Sequence, residues 1–195
     1  MMSKNTVRTT MESGFTFVEL LLVMALIGVM TGFLASLFRS SVFLFQNQDL
    51  EIQVIEEANY LNSFMLENLR DAEGVETTIT DGSDTFTSGS DEIIVRLPAI
   101  DGSSNPIPGI YDYYVMYQSS SSPGDLRWRL IPAGSSNRVA FDKLAGEEIT
   151  AMSFSYDTMI PAEASFVTVT FTLEKSNSFR TIDISRSTSV NLRNQ

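Results

Sequence analysis

The chain has 195 residues and a formal net charge of -11, with 24 acidic residues against 13 Lys and Arg. So acidic a chain lacks the basic surface that nucleic acids require, and we expect no nucleic-acid partner. It contains neither Cys nor His, which excludes the usual structural zinc sites, thiol nucleophiles and histidine-based acid–base catalysis.

Residues 1–14 have the features of a short leader that precedes an apolar run. Lys4 and Arg8 are its basic residues, and basic residues next to a membrane segment favour the cytoplasmic side. Glu12 changes this little, because acidic residues contribute weakly to that preference. We therefore predict a cytoplasmic N-terminus and a single-pass protein whose remaining chain lies outside the cytoplasm.

Residues 15–39 form the predicted membrane helix. The run from Phe15 to Phe38 is roughly 24 residues, and a helix of that length, at about 1.5 Å per residue, crosses a hydrocarbon layer of about 30 Å. One carboxylate, Glu19, interrupts the run, and an ionised acid costs about 2.5 to 3.5 kcal/mol at the bilayer centre, and less near its edge. No Lys or Arg lies between Phe15 and Phe38. An amine freed by cutting before Phe15 would supply a cation, and a helix that begins there would also turn its positive end towards Glu19.

The residues from Gly14 to Leu21 read Gly-Phe-Thr-Phe-Val-Glu-Leu-Leu, and together with the basic leader they resemble the type IV pilin-like proteins with class III leader peptides. The resemblance implies cleavage between Gly14 and Phe15 by a prepilin peptidase, which would also N-methylate Phe15. It implies assembly with other pilins or pseudopilins into a helical filament, at an inner-membrane assembly platform. In that filament Glu19 would neutralise the N-terminal ammonium of a neighbouring subunit.

Two other interpretations of the apolar run stay open. One is an uncleaved signal anchor with a chance acid near its cytoplasmic end. The other is a conventional secretory signal, which fits less well because its small-x-small cleavage site should follow the apolar run. The bulky residues Phe33, Leu34, Leu37 and Phe38 interrupt that pattern.

Three small residues recur at helical spacing within the predicted span. Ala25, Gly28 and Gly32 lie at steps of three and four residues, and Gly28 to Gly32 is a GxxxG motif. Small residues let membrane helices approach closely, which suggests a helix-packing face. Glycine is also frequent in membrane helices in general, so the usual composition of such helices is an equally open explanation. The span has no proline, unlike many major pilins, which favours a pseudopilin or a minor pilin.

Residues 40–74 are predicted to continue the same helix. A polar gap at residues 46–51 interrupts an otherwise regular stripe, and all six prolines lie further along the chain. Gly74 is a candidate C-cap, and a separate helix after a bend is the alternative. The apolar positions recur mostly at steps of three and four, which is typical of an amphipathic helix: Val42, Phe45, Ile52, Ile55, Ala58, Leu61, Met65, Leu69 and Ala72.

Residues 75–195 are predicted to form a β-rich head of short strands separated by turns. Val167, Val169, Phe171 and Leu173 alternate with threonines, the period of a sheet with one buried face. Such a sheet packed on the second half of the helix gives an α+β fold. Residues 119–125 are predicted to be a solvated hairpin tip. The predicted strands are 76–80, 92–97, 110–118, 126–131, 149–156, 166–174 and 180–190.

Acidic turns in the head are the candidate metal ligands. Asp81, Asp84 and Asp91, or Asp101 with nearby carbonyls, offer the oxygen ligands that calcium prefers. They lack the regular spacing of a calcium loop, and Asp-Gly-Ser is common in turns. We therefore predict turns, with no metal and no cofactor.

The cluster Arg127, Trp128 and Arg129 is the most conspicuous in the head, because the one Trp of the chain is flanked by two of its 13 basic residues. On a strand the two arginines would face away from the indole. Trp128 is predicted to be in the core with solvated arginines, and an exposed interface anchor is the alternative. The tyrosines at positions 111, 113, 114 and 117 carry the same ambiguity. No motif assembles a catalytic site, so we expect no enzyme.

Within the family that it resembles, the chain is most similar to a minor pseudopilin of a type II secretion system, of the J kind. That implies a structural subunit of a short filament, anchored in the inner membrane, that drives folded proteins outward. A minor type IV pilin, which primes pilus assembly or DNA uptake, is one alternative. A filament-tip adhesin is another.

Overall fold

The computed structural model describes residues 16–193. Helix α1 runs from Phe17 to Arg70, and the chain divides into two compact units, Met1–Gln46 and Asn47–Gln195. The predicted α+β class is confirmed, because the second part of α1 packs against antiparallel sheets.

The described part of the first unit is the N-terminal part of α1. Every residue from Thr16 to Gln46 is exposed, and its most apolar 18-residue window has a mean hydropathy of 2.4. The helix is therefore long and apolar enough to cross a membrane. Thr31 and Ser41 donate their hydroxyls to the carbonyls of Ile27 and Leu37, at 2.8 and 3.0 Å, so these polar groups are satisfied inside the helix.

In the second unit, α1 carries an apolar stripe that agrees with the predicted one only from Ala58 to Leu69. Ile52, predicted to lie on the stripe, is 53% exposed, and Leu50, which was placed in the polar gap, is buried. The buried residues of the helix lie at steps of three and four: Leu50, Val54, Ala58, Leu61, Met65 and Leu69. The alternative of a separate helix after a bend is not observed in the described part of the chain, because α1 is one element. The helix ends at Arg70, earlier than predicted.

The predicted C-cap at Gly74 is wrong. Gly74 pairs with Arg96 at the start of a strand, and the N–H of Glu73 already donates to the carbonyl of Arg96 at 2.8 Å. The sheet therefore takes up the backbone groups of these residues, and the chain needs no glycine turn to leave the helix.

Within residues 16–193, ten strands follow α1 and form three antiparallel sheets. The larger sheet has the order β1-β4-β5-β6-β7, a second sheet has the order β10-β9-β8, and β2 and β3 form a hairpin. A 3-10 turn, Pro161–Glu163, lies between β8 and β9. The strands are β1 Gly74–Val75, β2 Thr78–Asp81, β3 Asp84–Thr87, β4 Glu92–Ile100, β5 Pro106–Gln118, β6 Leu126–Ile131, β7 Phe141–Gly146, β8 Ile149–Tyr156, β9 Phe166–Ser176 and β10 Thr181–Asn191.

The predicted strands correspond to β2, β4, β5, β6, β8, β9 and β10. Three strands were not predicted: β1, β3 and β7. β1 is only two residues long. β3 reads Asp-Thr-Phe-Thr and begins inside a predicted turn, and β7 reads Phe-Asp-Lys-Leu-Ala-Gly without a regular apolar alternation.

The main core lies between α1 and the inner faces of both larger sheets. Phe171 and Leu173 of β9 and Met116 of β5 are completely or almost completely buried there. The predicted alternation in β9 is confirmed: Val167, Val169, Phe171 and Leu173 are buried, and the threonines between them are partly exposed.

A second, smaller core covers the other face of the larger sheet. Phe86 from the β2–β3 hairpin packs on Ile94 and Val115. As a consequence, three successive residues of β4, Ile93 to Val95, are buried. A strand covered on both faces loses the alternation typical of a half-exposed strand, and no pattern predicted the layer that covers it.

Candidate functional site

Glu19 lies in the first turn of α1 and is paired with Thr16. Its Oε2 accepts the backbone N–H of Thr16 and the hydroxyl of Thr16, both at 2.9 Å. In return, the N–H of Glu19 donates to the hydroxyl oxygen of Thr16 at 3.3 Å. This reciprocal pair is a capping box, which satisfies two backbone donors that the helix start leaves without partners.

The capping box gives Glu19 a local partner that was not predicted. The signal is present in the sequence as Thr-x-x-Glu directly before an apolar run. The donors are a neutral amide and a neutral hydroxyl, so they hold the carboxylate in place without supplying a positive charge. Oε1 accepts no hydrogen bond within residues 16–193, and it remains available to a further donor.

The predicted processing residues, Gly14 and Phe15, lie outside the described residues. The amine that the resemblance assigns to Glu19 therefore stays a prediction. Cleavage before Phe15 would leave the capping box intact, because Thr16 would keep both its amide N–H and its hydroxyl.

Ala25, Gly28 and Gly32 share one exposed face of α1. A Cβ built on Gly28 or on Gly32 would meet nothing within 4 Å, so this face is open to close approach by another helix. Ser36 lies at the next four-residue step and is also exposed. Glu19 is about half a turn away from Gly28, because nine residues make about two and a half turns. The acid and the small residues therefore lie on different faces.

The acidic turn of the β2–β3 hairpin holds an arginine. Arg129 donates to Asp84 at 2.8 Å and also bonds Asp81. The hydrogen bond from Arg129 holds the pKa of the Asp84 carboxyl below its usual value. Two of the candidate calcium ligands, Asp81 and Asp84, thus share one guanidinium, which balances one of their two negative charges.

The remaining candidate metal ligands are also part of turns. Asp101 accepts the N–H groups of Asn105 and Ser103, at 2.9 and 2.8 Å, and these bonds lower the pKa of its carboxyl. Asp91 accepts the hydroxyl of Ser90 at 2.7 Å. Across the described stretch, 16–193, no three His, Cys, Asp or Glu side chains come together in a way that could hold a metal ion.

Trp128 is half-buried and packs against the main core, which agrees with the core prediction rather than with an exposed anchor. Its ring makes edge-on contacts with Phe64, Tyr114 and Phe141, at centroid distances of 4.7, 4.9 and 4.9 Å. The arginines beside it are partly exposed, at 32% for Arg127 and 20% for Arg129, and both are ion-paired: Arg127 bonds Asp142 at 2.8 Å and Arg129 bonds the hairpin acids.

The predicted tyrosine cluster is divided between the two faces of β5. Tyr114 packs on the main core, while Tyr113 and Tyr117 pack on the smaller core. Burial raises the pKa of all three phenols. Tyr114 therefore faces the opposite side of the sheet from Tyr113 and Tyr117.

Comparison of the chain with family models, curated proteins and solved structures gives no match. The fold and the site define a class: an α+β protein with one N-terminal helix that is long and apolar enough to cross a membrane. The acidic capping box lies at the start of this apolar helix.

Proposed function

We propose that the protein is a structural subunit of a pilus-like filament, cleaved after Gly14, N-methylated at Phe15 and assembled through α1. A minor pseudopilin of a type II secretion system is the form that the sequence favours. A minor type IV pilin is the alternative, because an unbroken, proline-free helix is compatible with that class as well. We propose no catalytic activity.

The observation that carries the proposal is that Oε1 of Glu19, at the start of an exposed apolar helix, accepts no hydrogen bond from the described residues 16–193. A carboxylate near a bilayer's edge costs free energy unless a positive charge compensates it. The capping box orients the group but leaves its charge uncompensated. The N-terminal ammonium of a neighbouring subunit would be a suitable cation. It would lie at the start of an identical apolar helix, and therefore close to the depth of Glu19 in the membrane.

The open small-residue face supports the same proposal by a second route. Ala25, Gly28 and Gly32 let another helix approach α1 closely, and in lipid such packing stabilises helix association. A filament held together by N-terminal helices needs both features: a packing face and a fixed stagger. The small face supplies the first and the charge pair supplies the second.

The proposal is tested by Glu19→Val in the native host. We expect normal cleavage, because the peptidase acts between Gly14 and Phe15, and loss of the protein from sheared filaments. Thr31→Val is the matched control, because it also replaces a polar residue of the exposed helix by valine. Normal amounts of Glu19→Val in sheared filaments, measured by immunoblot against total membrane protein, would show that the assigned role is wrong.

Processing is tested separately by Gly14→Leu. A bulky residue at the cleavage position should block the peptidase, so the intact mass should correspond to the full chain. A mature mass despite this substitution would reject the assigned cleavage site.

A further inference from the structure

Arg39 carries the positive charge of the apolar part of α1, and it lies about one membrane thickness away from Glu19. These two are the only charged residues between positions 16 and 48. Arg39 is 20 positions after Glu19, so a rise of about 1.5 Å per residue separates their backbones by about 30 Å along the helix axis. The hydrocarbon layer of a bilayer is also about 30 Å thick. One placement of the helix therefore puts both charges at the edges of that layer, with the uncharged residues 20–38 between them.

The apolar residues that follow Arg39 do not favour a different placement. Val42 to Phe45 are exposed, and moving them into the hydrocarbon would bring Arg39 roughly 9 Å below its edge, because Phe45 is six positions further along the helix. An arginine inside the hydrocarbon costs free energy that a position at the edge avoids. With Arg39 at the edge, the residues directly after it lie in the headgroup layer, which adds roughly 5 to 7 Å on each side of the hydrocarbon.

Arg39 has no anionic partner among the described residues of its own chain. Its side chain is exposed, and every ion pair within residues 16–193 lies in the second unit. Side chains three and four positions apart are neighbours on a helix, and those positions are occupied by Ala35, Ser36, Val42 and Phe43. The helix therefore exposes a positive charge that none of these neighbours compensates.

The proposed filament contact does not supply an anion at this level either. If the N-terminal ammonium of Phe15 in one subunit meets Glu19 of another, the two helices are offset by four positions, or about 6 Å. Arg39 of one subunit then lies level with Ala35 of its neighbour, and Arg39 of the neighbour lies level with Phe43. Neither residue is acidic, so the same contact that compensates Glu19 leaves Arg39 without a carboxylate beside it.

We propose that Arg39 binds the phosphate group of a phospholipid headgroup, in the leaflet opposite to Glu19, and so fixes the depth of α1 in the bilayer. A guanidinium presents paired N–H donors that match two phosphate oxygens. A headgroup phosphate is an anion that lies just outside the hydrocarbon edge, and the small side chains of Ser36 and Ser40 leave room for it beside the helix. The inference requires α1 to cross a membrane, but it requires neither cleavage nor filament assembly.

The contact is tested on the full chain, with its arginines labelled with 15N, in vesicles of phosphatidylglycerol. Solid-state NMR measures how far the lipid 31P dephases the guanidinium 15N signals, which reports direct contact. Arg39→Gln should lose a dephased component that the wild type shows. Arg180→Gln is the matched control and should keep that component, because Arg180 is also exposed and forms no ion pair within residues 16–193, but lies between β9 and β10. Equal dephasing in Arg39→Gln and in this control would overturn the inference.

The strength and the source of the phosphate are tested by titrating the full chain in detergent micelles with lipid and counting the lipids retained by native mass spectrometry. Arg39→Gln should bind phosphatidylglycerol about fivefold more weakly than the wild type, while Arg39→Lys, which keeps the charge, should bind more tightly than Arg39→Gln. A neutral galactolipid, which has no phosphate, should be retained equally by all three. Equal affinity of the wild type and Arg39→Gln for phosphatidylglycerol would contradict the proposal. Dephasing at Arg39 by inorganic phosphate in galactolipid vesicles would also contradict it, because it would identify a site for free phosphate.

These results are independent of the proposed filament function. A protein that keeps residues 1–14 in its host would remove that function and leave the lipid contact in place. Loss of the lipid contact would leave cleavage and assembly unaffected, since Glu19 and the cleavage site lie at the other end of the apolar run.

Discussion

The close contact between Gly146 and Leu61 allows a quantitative test of how β7 packs on α1. A Cβ added at Gly146 would lie 2.6 Å from Cδ2 and 2.9 Å from Cδ1 of Leu61. Leu61 is fully buried, so its methyl groups cannot move into solvent to make room. Gly146→Ala is therefore an overpacking substitution, and we expect it to cost about 1–3 kcal/mol of unfolding free energy.

That cost corresponds to a fall in Tm of roughly 2 to 4 °C per kcal/mol for a unit of this size. The assay is thermal unfolding of the full chain in detergent, followed by the near-ultraviolet signal of Trp128, which contacts Phe64 of α1. Gly134→Ala is the matched control, since an added Cβ there meets nothing within 4 Å, and it should change Tm little. Leu61→Ala combined with Gly146→Ala should be less destabilising than the sum of the two single changes. Equal Tm values for Gly146→Ala and the control would refute the close packing.

Two further predictions concern the capping box and the acidic hairpin. Thr16→Val removes the hydroxyl bonds to Glu19, so incorporation into filaments should fall while cleavage continues. Thr16→Ser keeps the hydroxyl and should restore incorporation. Unchanged incorporation of Thr16→Val would show that the cap does not position the acid. Arg129 lowers the pKa of Asp84 in the folded protein. The stability that this pair contributes is therefore fully present above the ordinary Asp pKa of about 3.9. It is lost as the pH falls through the lower pKa of the folded state. Arg129→Met should therefore destabilise the protein at neutral pH and progressively less in acid, as measured by denaturant midpoints, and a pH-independent difference would contradict the ion pair.

The long helix and most strands were predictable because burial leaves a periodic trace in the sequence. The stripe from Ala58 to Leu69 follows the predicted helical period, and β9 alternates because threonines cover its exposed face. The end of the helix was predicted wrongly because no local signal marks it. The chain instead leaves the helix to make a backbone hydrogen bond from Glu73 to Arg96 in the sheet. Long-range pairing of this kind has no local signature.

The site was predictable in part for a similar reason. Glu19 was identified because an acid in an apolar run is costly, but its partner Thr16 was overlooked although the Thr-x-x-Glu pattern is local. Arg129 could not be matched to Asp81 and Asp84 from the sequence, since the pairing depends on the β2–β3 hairpin that covers the larger sheet. Contacts across layers become visible only in the fold.

The proposed filament function is tested most directly by the intact mass of the protein purified from its own host. We predict a chain that lacks residues 1–14 and begins at Phe15 with one added methyl group on its amine. A protein that still begins at Met1 would contradict the account, because no free amine would then exist to meet Glu19 of a neighbour.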